Sequence, residues 1–111
     1  MSDRLAKINE LLRVEVGLII RTDLEFPGNT LVTVVRAEVS PTLEHATIFV
    51  SAYPESQGAV MIKIIERSIW DIQQKLNKRL IMRPVPKIRF MLDHTEAEAA
   101  HIEKLVTEVV G

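Results

Sequence analysis

Two runs of alternating, β-branched residues separated by only five positions constrain this chain more than any other feature. Thr30 to Val39 carries Leu31, Thr33, Val35, Ala37 and Val39 on one side and Arg36 and Glu38 on the other. His45 to Tyr53 alternates Ala46, Ile48, Val50 and Ala52 against Thr47, Phe49, Ser51 and Tyr53. A period of two is that of an extended strand with one buried face. The connection Ser40-Pro41-Thr42-Leu43-Glu44 is too short for a parallel crossover, so the second strand must return antiparallel to the first.

Helical periodicity flanks this hairpin. Ser2 and Asp3 are candidate caps for a helix whose apolar positions Leu5, Ile8, Leu12, Val16 and Ile19 recur at spacings of three and four to about Arg21. Phe26-Pro27-Gly28-Asn29 supplies the turn that stops it, because proline fixes one dihedral and glycine and asparagine tolerate positive φ. After Pro54-Glu55-Ser56-Gln57-Gly58, the residues Ile62, Ile65, Ile69, Ile72 and Leu76 form a second helical stripe running to about Leu80. Arg83-Pro84-Val85-Pro86 cannot extend a helix, since each proline lacks a donor and disfavours α geometry in the residue before it. A third strand follows, with Ile88, Phe90 and Leu92 inward and Lys87, Arg89 and Met91 outward. Thr95 and Glu98 form a capping-box pattern for a last helix through Ile102, Leu105, Val106 and Val109. The order αββααβα or αββαβα predicts an α+β domain, a three-stranded sheet with helices packed on one face.

At 111 residues the chain is expected to form one domain, residues 1–111, and to bury roughly 65% of its unfolded surface. The absence of cysteine excludes disulfides, zinc ribbons and thiol catalysis. The polar start and the short apolar runs contain neither a secretory signal nor a membrane span, so a cytoplasmic protein with no membrane partner is expected.

A net charge of −1 conceals a strongly polarised distribution. Lys75 to Leu92 holds six cations, Lys75, Lys78, Arg79, Arg83, Lys87 and Arg89, and no acid, which reads as one local basic surface suited to a polyanion. Successive residues of a helix turn by about 100°, so Lys63, Arg67, Trp70, Gln74 and Lys78 fall on the side away from the isoleucine stripe. An exposed Trp70 among cations suits stacking on a base; a Trp70 that closes the edge of the core is the structural alternative. On the third strand, outward Lys87 and Arg89 would neighbour outward Phe49 and Tyr53 if the second and third strands pair, which would hold a phosphate and a base; the alternative is an ordinary solvated face.

Signs of catalytic chemistry are few. His45, His94 and His101 have no serine or carboxylate at a triad spacing, and His45 in the hairpin reads as a surface donor. His94, Glu98 and His101 could share a helical face as metal ligands, although His94 sits at or before the cap. The four glycines are isolated, so no phosphate-cradling loop exists and no cofactor is expected.

The run from Val32 to Ser51, VTVVRAEVSPTLEHATIFVS, followed by Arg83-x-x-Pro86-x-Ile88-x-Phe90-x-x-Asp93, resembles the ribosome-binding factor A family over nearly the whole chain. The two motifs occur in the right order with a helix-sized segment between them. The resemblance implies a type II KH-like fold and a non-catalytic, monomeric ribosome assembly factor. Such a factor binds the small (30S) ribosomal subunit and its 16S rRNA during late maturation and pre-rRNA processing, and is linked in bacteria to growth in the cold. No small-molecule substrate is implied. The chain departs from the family pattern where an Ala-x-Gly kink is usual: the matching positions read Ser68-Ile69-Trp70, so the two helices either merge into one curved helix or bend by another route. Thr42 also replaces a common aspartate, and contacts made by the longer tail of some relatives are expected to be absent.

Combined with the charge pattern, the resemblance points to Lys75, Lys78, Arg79, Arg83, Lys87 and Arg89 as phosphate ligands, with Lys63, Arg67 and Trp70 as a flanking surface. The competing reading is a protein-interaction module that offers its basic face to an acidic partner and its C-terminal helix to a groove.

Overall fold

A computed structural model describes residues 2–93. The elements are α1 (Ser2–Asp23), β1 (Leu31–Val39), β2 (His45–Tyr53), a 3-10 turn (Glu55–Gln57), α2 (Gly58–Arg67), α3 (Ile69–Arg79) and β3 (Lys87–Leu92). β1 and β2 pair antiparallel, as the short connection requires, and β3 lies parallel to β2 at the far edge, giving the order β1-β2-β3. The crossover from β2 to β3 is made by α2 and α3. This is an α+β, type II KH-like domain. The expected C-terminal helix and the His94, Glu98, His101 cluster lie outside the described residues.

One face of the sheet carries the core. Leu12, Val16, Ile19 and Ile20 of α1, Ile65 of α2 and Ile72 and Leu76 of α3 meet Val34, Ala37, Ile48, Val50, Ile88 and Phe90 of the strands, all of them buried. Burial of this kind supplies most of the free energy that opposes chain entropy, at about 1.5–3 kcal/mol for each large aliphatic side chain. The other sheet face has no helix of the described residues on it.

The inward set of β1 differs from the sequence expectation in its first half. Val34 is buried, whereas Leu31, Thr33 and Val35 are exposed. The cause is a β-bulge: Val34 opposes Val50 and Arg36 opposes Phe49, so Val35 is an extra residue with no partner. It resets the alternation, and Ala37 and Val39 still point inward as expected. Only the first of the two turns follows its residue chemistry. Asn29, and not Gly28, takes positive φ at 65°, and Leu43 takes φ 64° in the hairpin connection. Leu43 is a costly residue there, and its side chain packs against the core cluster.

The long helical segment is two helices. Ser68 sits at φ −102°, ψ 7°, in the bridge region that any residue enters without glycine. Its N–H donates to Ile65 O at 3.0 Å, closing α2, and its carbonyl accepts from Ile72 N at 2.9 Å, opening α3. The bend therefore exists, by a route other than a glycine kink.

Helix-borne amides finish both sheet edges. Val39 N on the outer side of β1 donates to Asn9 Oδ1 at 2.8 Å. On β3, Gln73 Nε2 donates to Pro86 O at 3.0 Å while Gln73 Oε1 accepts from Ile88 N at 2.9 Å. One side chain thus acts as one rung of a missing strand.

Candidate nucleic-acid interface

The cations that are contiguous in sequence do not form one surface in the fold. Lys87 and Arg89 alternate with the buried Ile88 and Phe90, so they stand on the open face of the sheet, whereas the α3 cations belong to the helical layer. The expected single patch over 75–92 is therefore corrected to two surfaces. The physical reason is the turn from α3 into β3 together with the two-residue period of the strand.

Within the helical layer the cations differ in what they already hold. Lys75 Nζ donates to Asp23 Oδ2 at 2.6 Å, and Arg79 Nε donates to Glu15 Oε2. Both acids lie on α1, so these two side chains tie α3 to α1. Arg83 curls back on its own loop, Nη1 donating to Leu80 O at 2.7 Å and to Met82 O at 2.8 Å. Lys63, Arg67 and Lys78 are exposed and have no carboxylate within ion-pair distance among the described residues. Among the cations of α2 and α3 these three have charge to spare; Arg4, Lys7 and Arg21 of α1 are likewise exposed and outside the ion pairs of the described residues.

Trp70, the second residue of α3, is 69% exposed. Its placement just past the Ser68 corner turns the indole away from the core, so it does not close the core edge. It forms one wall of a groove of about 380 Å³ between α3 and the C-terminal end of α1, floored by Ile19, Leu24 and Ile72, with Lys78, Gln74, Lys75, Asp71 and Asp23 also lining it.

On the open sheet face, His45 opposes Lys87 and Thr47 opposes Arg89. Arg89 Nε donates to Thr47 Oγ1 at 2.9 Å. With Ser40 and Glu38 these residues line a groove of about 610 Å³. His45, Ser40 and Thr47 were not legible as a group because only the β2–β3 register brings them beside Lys87 and Arg89. The expected aromatic partners behave otherwise. The Arg36 guanidinium covers the Phe49 ring at 3.8 Å from its centroid and is itself held by Asp93 at 2.9 Å and Glu38 at 3.2 Å. Tyr53 is 72% exposed but lies eight positions along β2 from His45, about 26 Å from the Lys87 end at the usual strand rise. The sheet face is thus a cationic groove lined by Lys87, Arg89 and His45, with neither Phe49 nor Tyr53 free beside it to stack on a base.

The Lys75–Asp23 pair makes a pH prediction. The Lys75 ammonium, donating to its carboxylate, holds Asp23 below its ordinary value. A carboxyl depressed in the folded state stabilises above its unfolded pKa, and that contribution is lost as pH falls through the folded pKa. Thermal melts of the wild type and of Lys75→Met should differ near neutral pH, with the wild type more stable, and converge below the depressed Asp23 value. A gap that persists unchanged into strong acid would remove the ion pair as its cause.

No helix among the described residues is long and apolar enough to cross a membrane. Residues 4–106 match the family model of ribosome-binding factor A. The ribosome-binding factor A of Akkermansia muciniphila is 31% identical over 98% of this chain and 86% of its own length; that of Chlorobium chlorochromatii is 34% identical over 98% and 89%. Among solved structures, the crystal structure of ribosome-binding factor A from Thermus thermophilus superposes with a TM-score of 0.68 at 25% identity, covering 79% of this chain and 93% of that one. A homology model of the Thermus thermophilus factor, as fitted into a cryo-EM map of its 30S complex, has a TM-score of 0.68 at 24% identity, covering 81% and 96%, and supports the fold. A match that runs through every strand and helix of the described residues, at these identities and over nearly the full length, places this chain in the ribosome-binding factor A family.

Proposed function

We propose that this protein is a non-catalytic ribosome assembly factor that docks on the small (30S) ribosomal subunit and its 16S rRNA during late maturation and pre-rRNA processing. It would act in the cytoplasm as a monomer, with residues 1–111 forming one domain. The observation that carries this reading is the family match over residues 4–106. The 30S complex of the Thermus thermophilus factor supports the choice of subunit. The two cationic surfaces support the mode of contact. Lys63, Arg67 and Lys78 of the helical layer and Lys87 and Arg89 of the sheet face neutralise phosphates, while Lys75 and Arg79 mainly tie α3 to α1, Arg83 braces its own loop, and all three add charge to the field. Backbone contacts carry no base information and folded RNA hides most base edges, so shape dominates recognition.

Co-sedimentation with small subunits, large subunits and naked rRNA across a salt series tests this. Selective binding to the small subunit that weakens with salt is expected. The Lys63→Gln/Arg67→Gln/Lys78→Gln variant should flatten the dependence of log affinity on log salt by about 2 to 3 units, close to one per lost contact or slightly less. An unchanged slope would move the contact elsewhere on the surface. Failure to bind any of the three particles would favour the protein-interaction module.

A further inference from the structure

We infer that the groove between Trp70 and the end of α1 receives one unpaired RNA nucleotide, its base stacked on the indole and its phosphate at Lys78. This rests on the reading of the protein as an rRNA-binding factor and adds to it a base-dependent contact that phosphate neutralisation does not require.

Three observations carry the inference. First, Trp70 is 69% exposed, although an indole is a large apolar surface that proteins usually bury. It lies at the start of a regular helix fixed by the Ser68 corner and by the burial of Ile72 and Leu76, so its backbone is anchored and the ring is presented at a set place. Second, the groove beside it has an apolar floor in Ile19, Leu24 and Ile72, and its volume of about 380 Å³ is at the lower end of the range for small-molecule pockets, suited to one nucleotide. Third, its charges are balanced. Lys75 is engaged with Asp23, and the remaining lining charges, Asp71 and Lys78, are of opposite sign. A balanced, aromatic-walled groove favours a neutral planar base over a phosphate, which would be drawn to the more cationic sheet face. Lys78 has no carboxylate within ion-pair distance among the described residues and is placed for the attached phosphate. The Gln74 amide and the Asp71 carboxylate supply directional partners for a base edge.

Trp70 is the chain's single tryptophan, so its emission reports on this groove alone. The full-length protein is titrated with a short single-stranded oligoribonucleotide and with an abasic strand of the same length and charge, following tryptophan emission and, separately, the anisotropy of labelled strand. The base-bearing strand should quench the emission and bind about 5- to 150-fold more tightly than the abasic one, the range alanine substitution gives for one stacked base. Trp70→Ala should abolish that difference and leave the salt slope unchanged, because no charge is removed, and Trp70→Phe should retain most of it. Base-bearing strand bound at saturation without a change in emission, an affinity difference that survives Trp70→Ala, or no binding of either strand would each overturn the inference. Small-subunit co-sedimentation decides separately whether the rRNA reading stands, since it measures phosphate contacts that do not need Trp70.

Discussion

Deleting Val35 is expected to leave a cooperatively folded domain, whereas deleting Ala37, two positions on, is expected to abolish folding. With Val35 gone, Val34 and Arg36 become neighbours opposite Val50 and Phe49, the residues they already oppose, and Ala37 and Val39 keep their partners Ile48 and Ala46. The ladder is made continuous and no side chain changes face. The loss is the local twist a bulge adds and whatever Val35 contacts, which is small for a residue 40% exposed. Deleting Ala37 has no such solution. If β1 slides to absorb the gap at the bulge, Arg36 moves opposite Ile48, which is fully buried; if it does not, Glu38 takes that place. Either way an unpaired charge enters the core, a cost of several kcal/mol that approaches the whole stability of a small domain. Far-UV circular dichroism and urea melts of the two purified variants check this. An unfolded Val35 deletion, or a cooperative melt from the Ala37 deletion, would show that the bulge is not what sets the register.

The second large effect is expected at Gln73. Its amide satisfies Pro86 O and Ile88 N together, and Pro86 is fully buried while Ile88 is 7% exposed. Gln73→Leu keeps most of the volume and removes both partners, leaving two poorly hydrated backbone groups unpaired. At about 1–3 kcal/mol for each orphaned group, partly relieved by water, the expected loss is about 2–4 kcal/mol, roughly a 10–20 °C fall in melting temperature for a domain of this size. Hydrogen exchange gives the local readout: the Ile88 amide should lose protection while Asp93 N, which donates to Val50 O at 2.8 Å, keeps its own. A melting point within about 2 °C of wild type with Ile88 still protected would mean that the clasp contributes little.

These two sites also show where sequence reasoning succeeded and where it stopped. The hairpin, the first helix, the isoleucine stripe and the third strand were legible because each depends on a local period or on proline. The bulge was not, since Val34 and Val35 are equally β-branched and only the pairing with β2 tells which is extra. Between α2 and α3 the sequence left two outcomes open, one curved helix or a bend, because the residues held no glycine or proline to mark a kink; Ser68 makes the bend by entering a region open to any residue. The basic segment was legible as composition and misleading as geometry. Lys75 and Arg79 meet acids 52 and 64 positions away, contacts that no local pattern encodes. Two residues from the same segment, Lys87 and Arg89, face the other way because a strand, unlike a helix, alternates. Trp70 was correctly placed off the core stripe by helical phase, yet its groove depends on α1, whose approach the sequence did not specify.

Asn9 and Gln73 sit on opposite rims of the sheet, and each occupies main-chain groups that an incoming strand would use. At those rungs a second copy of the chain arriving edge-on finds no free seam, which works against accretion of sheets into aggregates while the domain is folded. The same plugs limit how partners are chosen. Attachment by strand addition, which is tolerant of sequence, is obstructed at these places, which favours recognition of partners through side chains on the two broad faces, where selection is more exacting.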